Sequence, residues 1–190
     1  MGYTHYWNSP TTIAPTTFTA ISDELTRLLP ALEQAGSPLA NTHGREQPEI
    51  GAELIAFNGV EFCGHAKNPA VVIPWPMREA RGIGDNAGVG GSLPYRTCNG
   101  NCSYESVWFK RVERDGTGFC KTAFRPDDLA VTAFLVIAKH HLGALLTVET
   151  DGEPAHWANA FALCQAGLGF GERSLFKHGK LVLGEVTPCA

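Results

Sequence analysis

Four residues of this 190-residue chain have the types and spacing of a metal site. Cys63 and His65 are two positions apart, so on the strand predicted there both side chains fall on one face. Cys98 and Cys102 form a compact thiolate pair. Together the four would make a tetrahedral Cys3His zinc site. The sequence does not show that the two halves meet, and free thiols or a local disulfide are the alternatives.

Cys120 is a candidate nucleophile, because a thiol beside an imidazole has a lowered pKa and reacts as the thiolate. The histidine pair His140-His141 lies beyond the whole following helix, about 20 Å away at roughly 1.5 Å per residue. His5 or His65, on neighbouring predicted strands, is therefore the better base for a cysteine-dependent hydrolase or transferase. The alternative interpretation is a buried, inert thiol and two histidines at a helix end.

Aromatic and polar side chains on predicted strands form a candidate binding surface. Tyr3, His5 and Trp7 alternate along the first strand and so share one face. Together with Lys121 and Trp108, they offer stacking and hydrogen-bonding groups to a small polar or aromatic ligand, or to a partner protein. The same rings can equally build an ordinary core.

The segment 77–103 is rich in glycine and has no periodic pattern. Its run from Gly82 to Gly91 superficially resembles a phosphate loop. It lacks the Gly-Lys-Ser/Thr ending, however, and does not join a strand to a helix. We interpret the segment as a functional flap or an insertion into the domain.

The elements that must position these residues are arranged around the stretch 118–143. Residues 119–124 predict a strand. Residues 127–141 predict a helix that begins after Pro126 and stops at Gly143. Apolar residues cover most of this helix, so it should be buried on more than one side.

The rest of the chain predicts shorter elements around that helix. The first are a strand over residues 2–7 and an amphipathic helix over 16–35 that is kinked near Pro30. Two hairpins follow, one over 53–66 with an Asn58-Gly59 turn and one from 105–112 into 119–124. After the central helix come a strand over 144–150, a helix from Pro154 and an edge strand over 180–186. This order predicts one α+β domain, with a mixed, mainly antiparallel sheet, helices packed on one face and the glycine-rich insertion.

Three stretches carry a resemblance to other proteins. The opening MGYTHYW, the region FCKTAFRPDDLAVTAFLVIAKHHLG and the later TVETDG and HWANAFALCQAGLGFG resemble a group of small uncharacterised proteins from bacteria and their phages. The glycine-rich section with Cys98 and Cys102 looks like an addition to that group. The resemblance implies a bacterial or phage intracellular context and lends no catalytic residues.

Composition limits the classes of function. A net charge of -4 gives no electrostatic basis for general nucleic-acid binding. The apolar run 129–138 is about half of a membrane span, and no export signal precedes the domain. We therefore expect a cytoplasmic protein with reduced cysteines, or a virion or host-cell location for a phage protein. No complete set of nucleophile, base and orienting group is present, which favours ligand or partner binding over the cysteine enzyme; a structural or virion-associated protein is a further alternative.

Overall fold

The computed structural model describes residues 3–65, 70–71, 96–98, 100–171, 174–177 and 179–183. Residues 77–95 of the predicted insertion lie outside this set, as do the last residues of the predicted edge strand. The helices are α1 (Pro15–Gln34), α2 (Asp128–Leu142) and α3 (Ala158–Leu168), with 3-10 turns at Gly143–Leu145 and Pro154–Trp157. The strands are β1 (Thr4–Asn8), β2 (Leu39–Ala40), β3 (Glu49–Ile50), β4 (Leu54–Gly59), β5 (Ala70–Val71), β6 (Arg96–Thr97), β7 (Val107–Lys110), β8 (Thr117–Lys121), β9 (Thr147–Thr150), β10 (Ser174–Lys177) and β11 (Lys180–Leu183).

The larger sheet has the strand order β10-β11-β9-β1-β8. β1 pairs antiparallel with β8 on one side and with β9 on the other. β8 and β9 therefore run in the same direction, and α2 connects them, with β1 between the two. The single α+β domain predicted from the sequence is confirmed.

The smaller sheet corrects both predicted hairpins. β4 pairs with β2, β3 and β7 and continues through Asn58 and Gly59, so no turn forms there. Gly59 is needed for close packing: a Cβ at this position would come within 2.0 Å of the Cys102 carbonyl oxygen. The second hairpin is wrong because β7 pairs with β4, whereas β8 pairs with β1.

α2 is the central helix of the core, as its composition predicts. Most of its side chains are buried; the ring of Phe134, for example, packs edge-on against Phe57 and Phe109. Each large apolar side chain buried in this way contributes about 1.5–3 kcal/mol. The stretch Asp128–Leu145 also has the length and hydropathy of a membrane span, but 72% of it is buried inside the protein, as in the core helix of a soluble domain. Gly143, with a φ of +55°, is the residue that caps the C-terminal end of α2.

The inner face of β1 is covered by the helices. Tyr3, His5 and Trp7 share this face, as predicted from their alternation, and all three are buried. His5 packs edge-on against Trp157. This face of β1 is therefore part of the protein interior. Any chemical role of its side chains depends on the polar groups that contact them there.

Candidate metal centre and the charge cluster beside it

The structure brings together the four residues predicted as zinc ligands. The ligand atoms of Cys63, His65, Cys98 and Cys102 all lie within 4.8 Å of one another, so the cluster can hold a metal ion. Cys98 Sγ lies 3.3 Å from Cys63 Sγ and 3.4 Å from Cys102 Sγ, and His65 Nδ1 lies 3.3 Å from Cys102 Sγ. Zinc–sulfur bonds of about 2.3 Å place tetrahedral ligands roughly 3.8 Å apart. The four atoms are thus close to the separations that one ion requires.

The loops that carry the ligands are shaped by glycine. Cys63 and His65 lie in a loop after β4, which corrects the prediction that they share a strand face. Gly64, between them, has a φ of +73°, and Gly100, between the other two ligands, has a φ of +91°. These left-handed conformations turn the chain so that both residues of each pair point inward. The Gly100 N–H also donates to Cys98 Sγ at 3.3 Å.

Cys98 and Cys102 lie on a tightly docked segment, which we call the cysteine segment (residues 96–98 and 100–103). The backbone N–H of Cys102 donates to the Val60 carbonyl at 2.9 Å. The Arg125 guanidinium donates to the Asn101 carbonyl at 3.2 Å and to the Ser103 carbonyl. The segment is therefore anchored both to the end of β4 and to the residues just before α2.

The protonation of the thiols fits a site that a cation completes. Burial and the neighbouring thiols raise the pKa of Cys102. For Cys63, burial acts in the same direction, but hydrogen bonds from the His65 backbone and the other thiols outweigh it and lower the pKa. Deprotonation of Cys102 therefore needs a nearby positive charge, which a dication held by the four residues would supply. The sulfur separations exceed the roughly 2.05 Å of a disulfide bond.

Arg96 extends from the cysteine segment into the core. It precedes Cys98 by two residues, its side chain is fully buried, and its Nη2 atom lies 2.6 Å from Asp128 Oδ2. Asp128 Oδ1 accepts hydrogen bonds from Thr122 Oγ1 at 2.6 Å and from His5 Nε2 at 2.7 Å. Burial raises the pKa of Asp128, but the charge of Arg96 and the hydrogen bond from His5 outweigh it and hold the pKa below its ordinary value. Asp128 is therefore a buried carboxylate with three partners.

The pKa of Asp127 is shifted in the opposite direction. Burial, and after it the negative charge of Asp128, raises the pKa of Asp127 well above its ordinary value. Its carboxyl oxygens have no hydrogen-bond partner among the described residues.

The preceding Ala123 and Phe124 have φ values of +50° and +60°, which is strained backbone for residues with side chains. The strain places the Phe124 ring on that of Tyr3, with centroids 4.0 Å apart.

Cys120 is placed where it is not activated. Its side chain is fully buried, and burial together with the charge of nearby Asp127 raises its pKa well above the ordinary value. Although Cys120 is directly opposite His5 across β8 and β1, His5 Nδ1 has no hydrogen-bond partner among the described residues. His65 belongs instead to the cluster of four potential metal ligands. These surroundings favour the interpretation of Cys120 as an inert core thiol.

The predicted ligand-binding residues separate into different places. Tyr3 and His5 are in the core, and Lys121 Nζ lies 5.8 Å from the centre of the Tyr104 ring. Trp7 and Trp108 instead line one groove of about 710 Å³ beside β8, the last strand of the larger sheet. We call this the aromatic groove; its aromatic and acidic lining residues are Tyr6, Trp7, Glu105, Trp108, Glu113 and Phe119.

The histidine pair at the end of α2 has a structural role. His141 Nε2 lies 2.7 Å from Glu24 Oε2, which joins α2 to α1. His140 stacks on the ring of Phe170, with centroids 3.9 Å apart. The prediction that these histidines are unconnected with Cys120 agrees with this arrangement.

Sequence reasoning missed both Arg96 and Asp128 as functional residues. A single signal pointed to Arg96, its position two residues before a predicted metal ligand. Comparisons with protein-family models, curated proteins and solved structures give no match for this chain.

Proposed function

We propose that the protein binds one zinc ion through Cys63, His65, Cys98 and Cys102. The observation that carries the proposal is the convergence of the four ligand atoms within 4.8 Å. Three thiolates and one imidazole are a soft ligand set that suits zinc. A set of four protein ligands leaves no open coordination position, so the ion has a structural role rather than a catalytic one.

The structural role follows from what the cysteine segment carries. Its ligands lie next to Arg96, and Arg96 supplies the buried positive charge for Asp128. Zinc fixes the segment on β4, and this holds the guanidinium at the start of α2. The metal thereby replaces a hydrophobic anchor that this loop lacks, because its sequence between the ligands is Asn-Gly-Asn.

Metal analysis of the protein purified under reducing conditions tests this proposal. We expect about one zinc per chain for the wild type and a large loss for Cys98→Ala. Cys164→Ala is the matched control, since Cys164 is also a buried thiol but lies in α3 and contacts the Ala133 carbonyl. Tetrahedral cobalt substituted into the wild type should show thiolate-to-cobalt charge-transfer absorption, which Cys98→Ala should lose.

Two results would contradict the proposal. The first is a wild-type protein that takes up no zinc even after refolding with the ion. The second is equal zinc content in the Cys98→Ala and Cys164→Ala proteins, which would place any bound metal elsewhere.

A second candidate function is binding of a small ligand at the aromatic groove. It is favoured by three exposed rings, because Tyr6, Trp108 and Phe119 are 47%, 52% and 61% exposed and line the same groove. A volume of about 710 Å³ is in the range of small-molecule sites. In a ligand screen by saturation-transfer NMR, Trp108→Ala should lose the compounds that bind there. Leu145→Ala, which removes an exposed apolar side chain elsewhere, should keep them.

A further inference from the structure

We infer that the aromatic groove binds a small organic cation, an alkylammonium group with apolar substituents. This inference rests on the second proposed function, ligand binding at the groove, and it adds the chemical class of the ligand. It is independent of the metal centre.

The rings of the groove are arranged to receive a ligand rather than to pack on one another. Tyr6 and Phe119 are directly opposite on β1 and β8 and point to the outer face of the sheet, and Trp108 is contributed by β7 of the other sheet. Among the ring contacts of the described residues, none joins these three. Their faces therefore remain available to a group that enters between the two sheets.

The inner wall of the groove depends on a glycine in β8, because this residue has no side chain. Gly118 lies against the indole of Trp7, and a Cβ at this position would come within 2.2 Å of Trp7 Cε2. The glycine therefore lets the Trp7 indole lie directly against the backbone of β8. Trp7 is thus a largely buried ring on the inner face of the sheet that reaches the groove at the edge strand β8.

The charge of the groove is negative. Among the residues that the structure describes, its lining includes Glu105 and Glu113 and no lysine, arginine or histidine. Glu113 is partly neutralised by Lys110, whose Nζ lies 3.1 Å away. Glu105 has no ion-pair partner among the described residues, and the backbone N–H of Lys121 holds its Oε2 at 2.8 Å. The groove thus presents a fixed carboxylate beside electron-rich ring faces.

This combination selects a cation with an apolar surface. The negative faces of Trp and Tyr rings attract ammonium groups, and the attraction is strongest when the cation is weakly hydrated. Alkyl substituents on nitrogen lower its hydration and also fit the apolar rings. A neutral ligand of the same shape gains the apolar contacts but neither the ring attraction nor the attraction of Glu105.

Choline and its neutral tert-butyl analogue, in which carbon replaces the charged nitrogen, form the test pair. We titrate each into the full-length protein and follow binding by saturation-transfer NMR on the methyl protons of the ligand, with the indole N–H resonance of Trp108 as a second probe in the proteins that retain this residue. We expect choline to bind at least about 5-fold more tightly than the neutral alcohol. Trp108→Ala and Phe119→Leu should each weaken choline binding by a similar factor, Glu105→Gln should weaken it while keeping the hydrogen bond to Lys121, and Leu145→Ala should leave it unchanged.

The outcomes separate the cation inference from the proposed function beneath it. If the neutral alcohol binds as tightly as choline, the groove is a ligand site but the inference of a cation is overturned. If neither compound binds up to roughly 100 mM, the inference of a cation is overturned, and the ligand screen with Trp108→Ala decides the proposed function separately. Choline binding that survives in Trp108→Ala and in Phe119→Leu would also refute the inference, because the ligand would then lie outside the groove.

Discussion

Replacing Asp128 by alanine should cost far more stability than breaking an ion pair of the same length at the surface. Asp128 and Arg96 approach to 2.6 Å with both side chains fully buried. Removing the carboxylate leaves the guanidinium buried without its counter-charge, which costs about 3–5 kcal/mol. Thr122 and His5 lose their acceptor as well. These losses share one network, so we expect about 4 kcal/mol in total rather than their sum.

The matched control is the pair formed by Lys180 and Glu149. Its N–O distance is 2.7 Å, but its side chains are 56% and 50% exposed. Water screens such a pair, so Glu149→Ala should change the free energy of unfolding by about 0–1 kcal/mol. The two pairs differ mainly in burial, and the comparison therefore isolates its effect.

Urea unfolding, followed by circular dichroism in the presence of zinc, measures both variants. With a slope of about 2 kcal/mol per molar urea, Asp128→Ala should lower the midpoint by roughly 2 M. A loss within about 1 kcal/mol of that in Glu149→Ala would refute the reasoning, since the buried network would then contribute no more than a screened pair. A double-mutant cycle with Arg96→Ala should show that most of the loss is shared between the two residues.

The pH dependence of this contribution has a definite sign. The pKa of Asp128 is lowered in the folded protein, so its contribution is complete above the unfolded-state pKa of about 3.9 and is lost as the pH falls through the folded-state pKa. The stability difference between wild type and Asp128→Ala should therefore narrow only in acid. A difference that narrowed between pH 6 and pH 8 would contradict the assignment of Asp128 as the ionised group.

Three further predictions concern the neighbouring residues. Gly59→Ala should weaken zinc binding, measured by competition with a chelator, because its Cβ would meet the Cys102 carbonyl oxygen at 2.0 Å. Gly51→Ala should leave zinc binding unchanged, because the atom nearest to its Cβ lies 3.9 Å away. Equal zinc affinities in the two variants would contradict the docking argument. The pKa of Asp127 is raised in the folded protein, so its ionisation lowers stability above the unfolded-state pKa of about 4. Asp127→Asn should therefore raise stability at pH 7 and lose this advantage in acid, as judged by denaturation at both pH values. In the zinc-loaded protein, iodoacetamide should label Cys120 only after denaturation; rapid labelling of the native protein at pH 7.5 would revive the nucleophile hypothesis.

The parts of the fold that the sequence predicts well are those with local signals. The α2 helix has its apolar surface, its Pro126 start and its Gly143 stop within one short stretch, and the structure places it within one residue of the prediction at each end. The prediction of a hairpin at Asn58-Gly59 was wrong because glycine occurs both in tight turns and where another backbone packs closely. The dipeptide is typical of a tight turn, but here Gly59 makes room for a backbone 43 positions later in the chain, and only the tertiary structure shows this.

The metal cluster was predictable in its residue types but not in its assembly. Two ligands two positions apart and two ligands four positions apart are each a weak pattern. Their meeting depends on pairing between the end of β4 and the cysteine segment, with the hydrogen bond from Cys102 to Val60 and the clamp of Arg125. None of these contacts has a sequence signature, since each joins residues more than twenty positions apart.

Sequence reasoning missed the cluster of Arg96, Asp127 and Asp128, because burial changes the roles that these residue types usually have. Asp127 and Asp128 at the start of a helix are typical of exposed groups that interact with the helix dipole. Both are buried here, and their environments shift their pKa values in opposite directions, upward for Asp127 and downward for Asp128. The difference arises from Arg96, whose position depends on the cysteine segment. If zinc favours the conformation in which Arg96 reaches Asp128, then linkage requires Asp128 to favour zinc binding by the same factor. With the proposed zinc bound, the metal ligands and the buried carboxylate would act as one stabilising unit, although they occupy distant parts of the sequence.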